Sequence, residues 1–317
     1  MRIFYASDVH ASNRCFKKFL NAGKFYGSDA IVLGGDITGK AIVPFVEQSG
    51  GEVHVTFLGK RQTLTTEEEV RSVEQRVGDT GYYPHRCSAD EAQELSADSA
   101  RLHALFIAKI VERVEQWMAL AEERLSGDGA MPCFVNAGND DPPEIDAVIE
   151  SAARVEFLEG RVVELPHGLE LASCGYANMT PWQCPRDVEE DVLAGRLEAV
   201  AAQVRDPAWA IFNFHCPPYD SQIDQGPVLG DDMRMRSTAG GVEMQAVGST
   251  ACRAVIERYQ PLVGFHGHLH ESRGTFKLGR TVCINPGSEY SEGVLRGAIV
   301  DINEKKRKLK STQFISG

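Results

Sequence analysis

Five short apolar runs, each ending in a polar motif, constrain this chain more than any other feature. Residues 2–6 (Arg-Ile-Phe-Tyr-Ala) lead into Asp8-Val9-His10, and residues 30–34 (Ala-Ile-Val-Leu-Gly) lead into Gly35-Asp36. Residues 133–137 precede Gly138-Asn139-Asp140-Asp141, residues 210–214 precede His215, and residues 262–266 precede Gly267-His268-Leu269-His270. Apolar runs of this length read as strands buried on both faces, the pattern of a parallel sheet covered by helices. In such folds the loops beyond the carboxyl ends of the strands gather at one edge, so motifs far apart in sequence can converge there.

The side chains carried to that edge are Asp8, His10, Asp36, Asn139, His215, His268 and His270. An Asp-x-His at a strand end is on its own usually a turn with a satisfied histidine. Five such motifs in one chain point instead to a neighbouring pair of metal ions, which needs mixed carboxylate and imidazole ligands. Asp8 and His10, like His268 and His270, stand two residues apart, so an extended backbone would point both members of each pair the same way. Glycines at 35, 138 and 267 are expected to permit the turns that expose the ligands. His266 reads as the end of a strand, and His54, His85, His103 and His167 as surface or structural residues.

In order and spacing these motifs resemble the calcineurin-like metallophosphoesterase superfamily, over residues 8 to 270, and Asn285-Pro286-Gly287-Ser288 extends the resemblance. The resemblance implies an α/β fold of two packed mixed β-sheets flanked by helices, an αββα sandwich. It assigns Asp8, His10 and His270 to one ion, Asn139, His215 and His268 to a second, and Asp36 to both. A carboxylate can bridge two cations, whereas a neutral imidazole nitrogen offers one lone pair. The implied reaction is in-line hydrolysis of a phosphate ester by a hydroxide bridging two divalent ions, with Asn139 and His215 beside the phosphate. Manganese is the ion the family suggests; iron, zinc, nickel and cobalt suit the same donors.

One position departs from the family pattern. Most members carry histidine after Gly-Asn, and this chain carries Asp140. A carboxylate with an ordinary pKa of about 3.9 is ionised at neutral pH, is a poor general acid, and repels a monoester dianion more than a singly charged diester. The expectation is therefore a phosphodiesterase acting on a small molecule or nucleotide. Alternatives are a phosphomonoesterase or protein phosphatase, and a catalytically silent metal-binding scaffold of the same fold. Capping of a helix near Pro142-Pro143 is the other use open to Asp140 or Asp141.

The remaining sequence sets the context. A net charge of −12 argues against a generic nucleic-acid or membrane surface and leaves a small phosphorylated substrate as the expected partner. No apolar stretch of about 18 residues occurs and the amino terminus enters a strand at once, so a soluble, cytoplasmic protein is expected. The eight cysteines lack metal-type spacing and read as reduced core residues. Lys305-Lys306-Arg307-Lys308-Leu309-Lys310 reads as a solvated turn between terminal strands.

Residues 1–317 are expected to form one domain with a helical and hairpin insert at about 40–131. The insert reads as strands at 53–58 and 62–65, a helix from Thr66, a turn at Gly81-Tyr82-Tyr83-Pro84, and one long helix from Ser88 to Leu125 opened by a capping box with Glu91. The apolar stripe of that helix, from Leu95 to Leu125, is expected to pack on the chain's own sheet, with a homo-oligomer contact as its alternative use. Residues 217–248 read as an irregular strap following His215, in which Arg234 and Arg236 either bind phosphate oxygens or face water. Ser249 then caps a helix ending near Tyr259.

Overall fold

In the computed structural model, which describes residues 1–127, 131–230 and 232–317, each of the five apolar runs forms a strand: Arg2–Ala6, Ala30–Leu33, Cys133–Val135, Ala210–Phe214 and Val263–Phe265. They divide between two sheets. The first has six strands in the order Lys308–Ser316, Arg296–Asn303, Arg2–Ala6, Ala30–Leu33, Cys133–Val135, Glu156–Phe157. It is parallel from Arg2–Ala6 onward and antiparallel at its C-terminal strands. The second, also six-stranded, runs Gly274–Leu278, Thr281–Asn285, Val263–Phe265, Ala210–Phe214, Leu169–Cys174, Val162–Leu165, with a parallel centre and antiparallel edges.

Period-two alternation divides each strand between two cores. Ile3, Tyr5, Val32 and Phe134 of the first sheet meet Leu171, Ile211, Val263, Phe265 and Ile284 of the second. Tyr5 stacks on Phe265 in that interface, with ring centroids 4.2 Å apart. The outward residues Phe4, Ala6, Ile31 and Leu33 are covered by helices Asn13–Tyr26 and Ser99–Arg124. On the far side, Ala172, Cys174, Phe212 and Phe214 are covered by Glu190–Ala201 and Thr250–Tyr259. Two mixed sheets between helical layers are the architecture expected from the sequence. Ser249 caps its helix as expected, accepting from the Cys252 N–H at 3.0 Å. The cysteines are all free thiols. Among the described residues no helix is long and apolar enough to cross a membrane.

The insert builds a further sheet, ordered Lys60–Leu64, Val53–Phe57, Ile42–Glu47, Tyr83–Ser88, covered by helix Glu67–Asp79 over a small core of its own. Two of these strands, Ile42–Glu47 and Tyr83–Ser88, have no counterpart in the sequence reading, and the expected turn at Gly81–Pro84 ends at Tyr82. The helix expected over 88–125 is two helices, Ala89–Ala97 and Ser99–Arg124. Asp98 divides them: it is extended (φ −119°, ψ 96°), and its carboxylate accepts from the N–H groups of Ala100 and Arg101, which starts a new helix. The expected stripe holds from Ile110 to Leu125, which lie in the core beneath the first sheet, while Leu102 is exposed. Residues 128–130 of the insert and Asp231 of the strap lie outside the described residues.

The longer helix also braces the loop that follows Arg2–Ala6. Trp117 stacks on Phe16 (4.1 Å, 3°) and donates to Asn13 Oδ1 at 2.8 Å, while buried Arg113 donates to the Ala11 carbonyl at 2.7 Å. Trp117→Ala is expected to cost about 3–5 kcal/mol in urea unfolding, because the site is close-packed and cannot collapse around a missing indole. A loss under about 1 kcal/mol would show that the helix is not part of the main core.

Candidate metal centre

Each ligand loop leaves the carboxyl end of its strand, and the loops are laced together there. Asp8 N–H donates to the Gly35 carbonyl at 2.9 Å, His10 N–H to Asp36 at 3.0 Å, Ala11 N–H to Ile37 at 2.8 Å and Gly267 N–H to His215 at 2.9 Å. The ligand backbone is not extended, contrary to the sequence expectation. Asp8 (φ 57°), His10 (37°), Asp36 (51°) and His268 (68°) occupy the left-handed region, which non-glycine residues adopt at a cost of about 1–3 kcal/mol each and which clusters at functional sites. The side chains of each pair converge through tight turns rather than through strand alternation. Of the three glycines, Gly35 alone has positive φ (134°). Gly138 and Gly267 serve close approach instead: a Cβ there would collide with Asp36 and with Ser7 and Asp8 respectively.

The donor atoms form two overlapping groups. One atom each of Asp8, His10, Asp36 and His270 lie within 4.8 Å of one another, as do atoms of Asp36, His215 and His268. Asp36 belongs to both groups, and Asn139 Oδ1 lies 2.8 Å from His268 Nδ1, beside the second. All seven side chains singled out in the sequence therefore meet at one place. Some buried polar atoms in this cluster lack a protein hydrogen-bond partner. Buried Asp8 Oδ2 and His215 Nδ1 make no hydrogen bond, His215 Nε2 has only the Asp36 carboxylate 3.2 Å away, and His10 Nε2 and His270 Nε2 face each other at 3.0 Å. Leaving such groups buried and unmatched is costly, and divalent cations would satisfy them. Mixed carboxylate, amide and imidazole donors fit that role.

Electrostatics in the absence of ions follow the same geometry. Burial alone would raise the Asp36 pKa, but the nearby His215 and His10 outweigh it and hold it far below the ordinary value. Asp8 is likewise held at about 2, burial being overcome by His270 and His215. Burial opposes a charge on His215 too, yet Asp36 and Asp8 keep its pKa well above that of an ordinary imidazole. His10 falls to about 3 through burial and Lys40, and His268 to about 4 through burial and His215, which leaves both as neutral donors.

Further residues hold the ligands in place. Buried Asp141 accepts from the N–H groups of Ile37 (3.0 Å), Thr38 (2.8 Å) and Gly138 (2.8 Å) and from Thr38 Oγ1 (2.7 Å), so it ties two ligand loops together and does not cap the helix at Pro142-Pro143. The Asn285 side-chain amide donates to the Gly267 and Leu269 carbonyls at 3.2 and 3.0 Å, and Ser288 Oγ to the Asp8 carbonyl at 2.6 Å. The Asn-Pro-Gly-Ser motif thus shapes the histidine loop. Asp187 accepts from Asn139 Nδ2 at 2.9 Å and so turns Asn139 Oδ1 toward His268; Thr180 and Cys184 fix Asp187 in turn. No motif in the sequence marked Asp187. Asp140 stands at the rim, its carboxylate against Lys40 Nζ and 3.7 Å from His10 Nδ1. Arg234 is exposed and pairs with Asp232 at 3.6 Å, and Arg236 is exposed on the same strap; neither contacts the ligand cluster. His266 is buried beside the cluster with Nδ1 2.8 Å from the Phe214 carbonyl, a packing histidine past the end of its strand.

The two packed mixed sheets and the gathering of all seven side chains, Asp36 among them, at one edge agree with the architecture that the sequence resemblance implied. No family model matches the chain. Over 151 residues, 47% of its length, it is 26% identical to uncharacterized protein MJ1162 of Methanocaldococcus jannaschii, and the match spans 61% of that protein. The same fold occurs in the crystal structure of TT1561 of Thermus thermophilus (TM-score 0.53, 14% identity, 98% and 97% of the two chains). A weaker similarity is to the calcineurin-like phosphoesterase YfkN from Bacillus subtilis (TM-score 0.44, 9% identity, 100% and 90% of the chains), which carries no weight of its own.

Two outcomes test this candidate metal centre. His215 stays protonated at neutral pH without metal because its pKa is raised, and a ligand must be neutral, so metal uptake expels its proton. Apparent Mn affinity should rise with pH between about 6 and 9, with proton release visible by calorimetry in buffers of different ionisation enthalpy; a flat profile would contradict the assignment. Asp187→Ala should weaken binding at the Asn139 site by roughly 10–100-fold while the Asp8, His10 and His270 group keeps its ion. Unchanged affinity at both sites would show that Asp187 does not orient Asn139.

Proposed function

We propose that this protein is a dinuclear metal-dependent phosphoesterase that hydrolyses a small phosphate ester, with a phosphodiester or nucleotide favoured. The observation that carries this is the membership of Asp36 in both ligand groups. A shared carboxylate holds two cations close and offsets their repulsion. When bound, a pair of divalent ions supplies Lewis acidity toward phosphoryl oxygens and a hydrolytic nucleophile at neutral pH. Manganese is the proposed metal, with iron, zinc, nickel and cobalt compatible with the donors.

The chain's own residues prepare that chemistry. Asp8, His10 and His270 are the ligands of one ion, and Asn139, His215 and His268 those of the other. Asn139 and His215 also stand where they can orient the phosphate, with the Asn139 amide fixed by Asp187. Burial of Asp8, His10, Asp36, Asn139 and His215 strengthens each charge interaction among them. The net charge of −12 fits a small substrate better than a polymeric backbone. A silent scaffold has no need of a complete ligand set held in strained turns.

Dialysis against chelator should abolish hydrolysis of bis(p-nitrophenyl) phosphate, and Mn should restore it. Asp36→Ala should lower kcat/KM by more than about a hundredfold, beyond what loss of a supporting group causes. The diester should be preferred to p-nitrophenyl phosphate. No turnover with any divalent ion would favour the scaffold, and a monoester preference would favour the phosphomonoesterase.

A further inference from the structure

The rim of the metal centre carries a charged pair that ligation does not use. Lys40 lies on the same loop as Asp36, between strands Ala30–Leu33 and Ile42–Glu47, and its Nζ contacts Asp140 Oδ2. Asp140 is held firmly: Oδ1 accepts from Cys184 Sγ at 2.7 Å, the backbone N–H donates to Asp36 Oδ1 at 3.0 Å, and Oδ2 lies 3.7 Å from His10 Nδ1. Lys40 is held less firmly. Its side chain is 45% exposed, against 15% for Asp140, and among the described residues its ion pair is with Asp140. Its charge nevertheless bears on His10, Asp36 and His270, which places a partly exposed ammonium within Coulomb range of the cluster.

An ammonium on a four-carbon stem is a point charge with three rotatable donors, able to leave one anion for another without backbone movement. Arg234 and Arg236, the cations the sequence offered for that task, face water on the exposed strap, whereas Lys40 stands at the rim against Asp140. We propose that Lys40 is a substrate-contacting residue, released from Asp140 by the incoming phosphate, and that the Lys40–Asp140 pair sets how much negative charge that phosphate can carry. This rests on the phosphoesterase reading of the same centre. A diester monoanion competes weakly with Asp140 for the ammonium. A dianion competes better but meets the Asp140 carboxylate, so the intact pair disfavours monoesters.

The test is a double-mutant cycle on Mn-loaded protein, with inorganic phosphate as the probe in isothermal titration and with aryl mono- and diesters in turnover. Both side chains stand at the rim, and equal Mn content and melting temperature would verify the variants; Lys40→Gln repeats Lys40→Ala with less loss of bulk. Asp140→Asn should tighten phosphate binding roughly tenfold, as expected for freeing one charge-assisted contact. It should raise kcat/KM for the monoester more than for the diester. In the Lys40→Ala background the same substitution should gain no more than about threefold, because no ammonium remains to be freed. A gain as large or larger without Lys40 would overturn the proposal, showing that Asp140 acts by repulsion alone. Failure of the Mn-loaded wild type to bind phosphate would overturn it too. If phosphate binds in a Lys40-dependent manner but no ester is hydrolysed with any metal, the pair stands and the phosphoesterase reading falls.

Discussion

One buried carboxylate, that of Asp36, organises this structure. It lies almost wholly out of water, within reach of His10, His215 and the Asp8 group, and it is common to both sets of ligand atoms. A buried charge is tolerated only when it is paired, because its desolvation costs several kcal/mol. Here the pairing comes from imidazoles and one amide N–H, and it is incomplete without cations. That is why the surrounding backbone accepts left-handed turns at four ligand positions: hydrogen bonds between loops overdetermine them.

The rest of the fold supplies rigid ends from which those turns start. Parallel strands in the middle of both sheets deliver Asp8, Asp36 and the Asn139 loop from one sheet, and His215 and the His268 loop from the other. The centre therefore spans the sandwich, and the Tyr5–Phe265 stack beneath it couples the two sheets. The insert contributes from outside. Its long helix packs Trp117 against Phe16 and sends Arg113 to the Ala11 carbonyl, one residue beyond His10.

Much of this was legible from residue types and spacing. The five strands, the seven polar side chains at their ends, the cap at Ser249 and the placement of the long helix on the chain's own sheet follow from patterns that act locally or repeat with a fixed period. What the sequence concealed depends on partners distant along the chain. Asp98 breaks a helix that periodicity alone would continue, because its cap competes with the i to i+4 ladder. Ile42–Glu47 and Tyr83–Ser88 are strands through their partners: they pair with each other in parallel, and Ile42–Glu47 pairs on its other side with Val53–Phe57. The left-handed turns at Asp8 and His10 override the alternation that an extended segment would show. Asp187 and Lys40 carry no motif; Asp187 matters through Asn139, 48 residues away, and Lys40 through Asp140.

The central claim, that Asp36 joins two cations into one centre, is tested most directly by electron paramagnetic resonance of the protein titrated with Mn. A shared carboxylate makes the two ions neighbours, so the loaded wild type should show the multiline spectrum of an exchange-coupled pair, and Asp36→Asn should lose the coupling. A spectrum of isolated, uncoupled Mn at full loading, unchanged by that substitution, would contradict it.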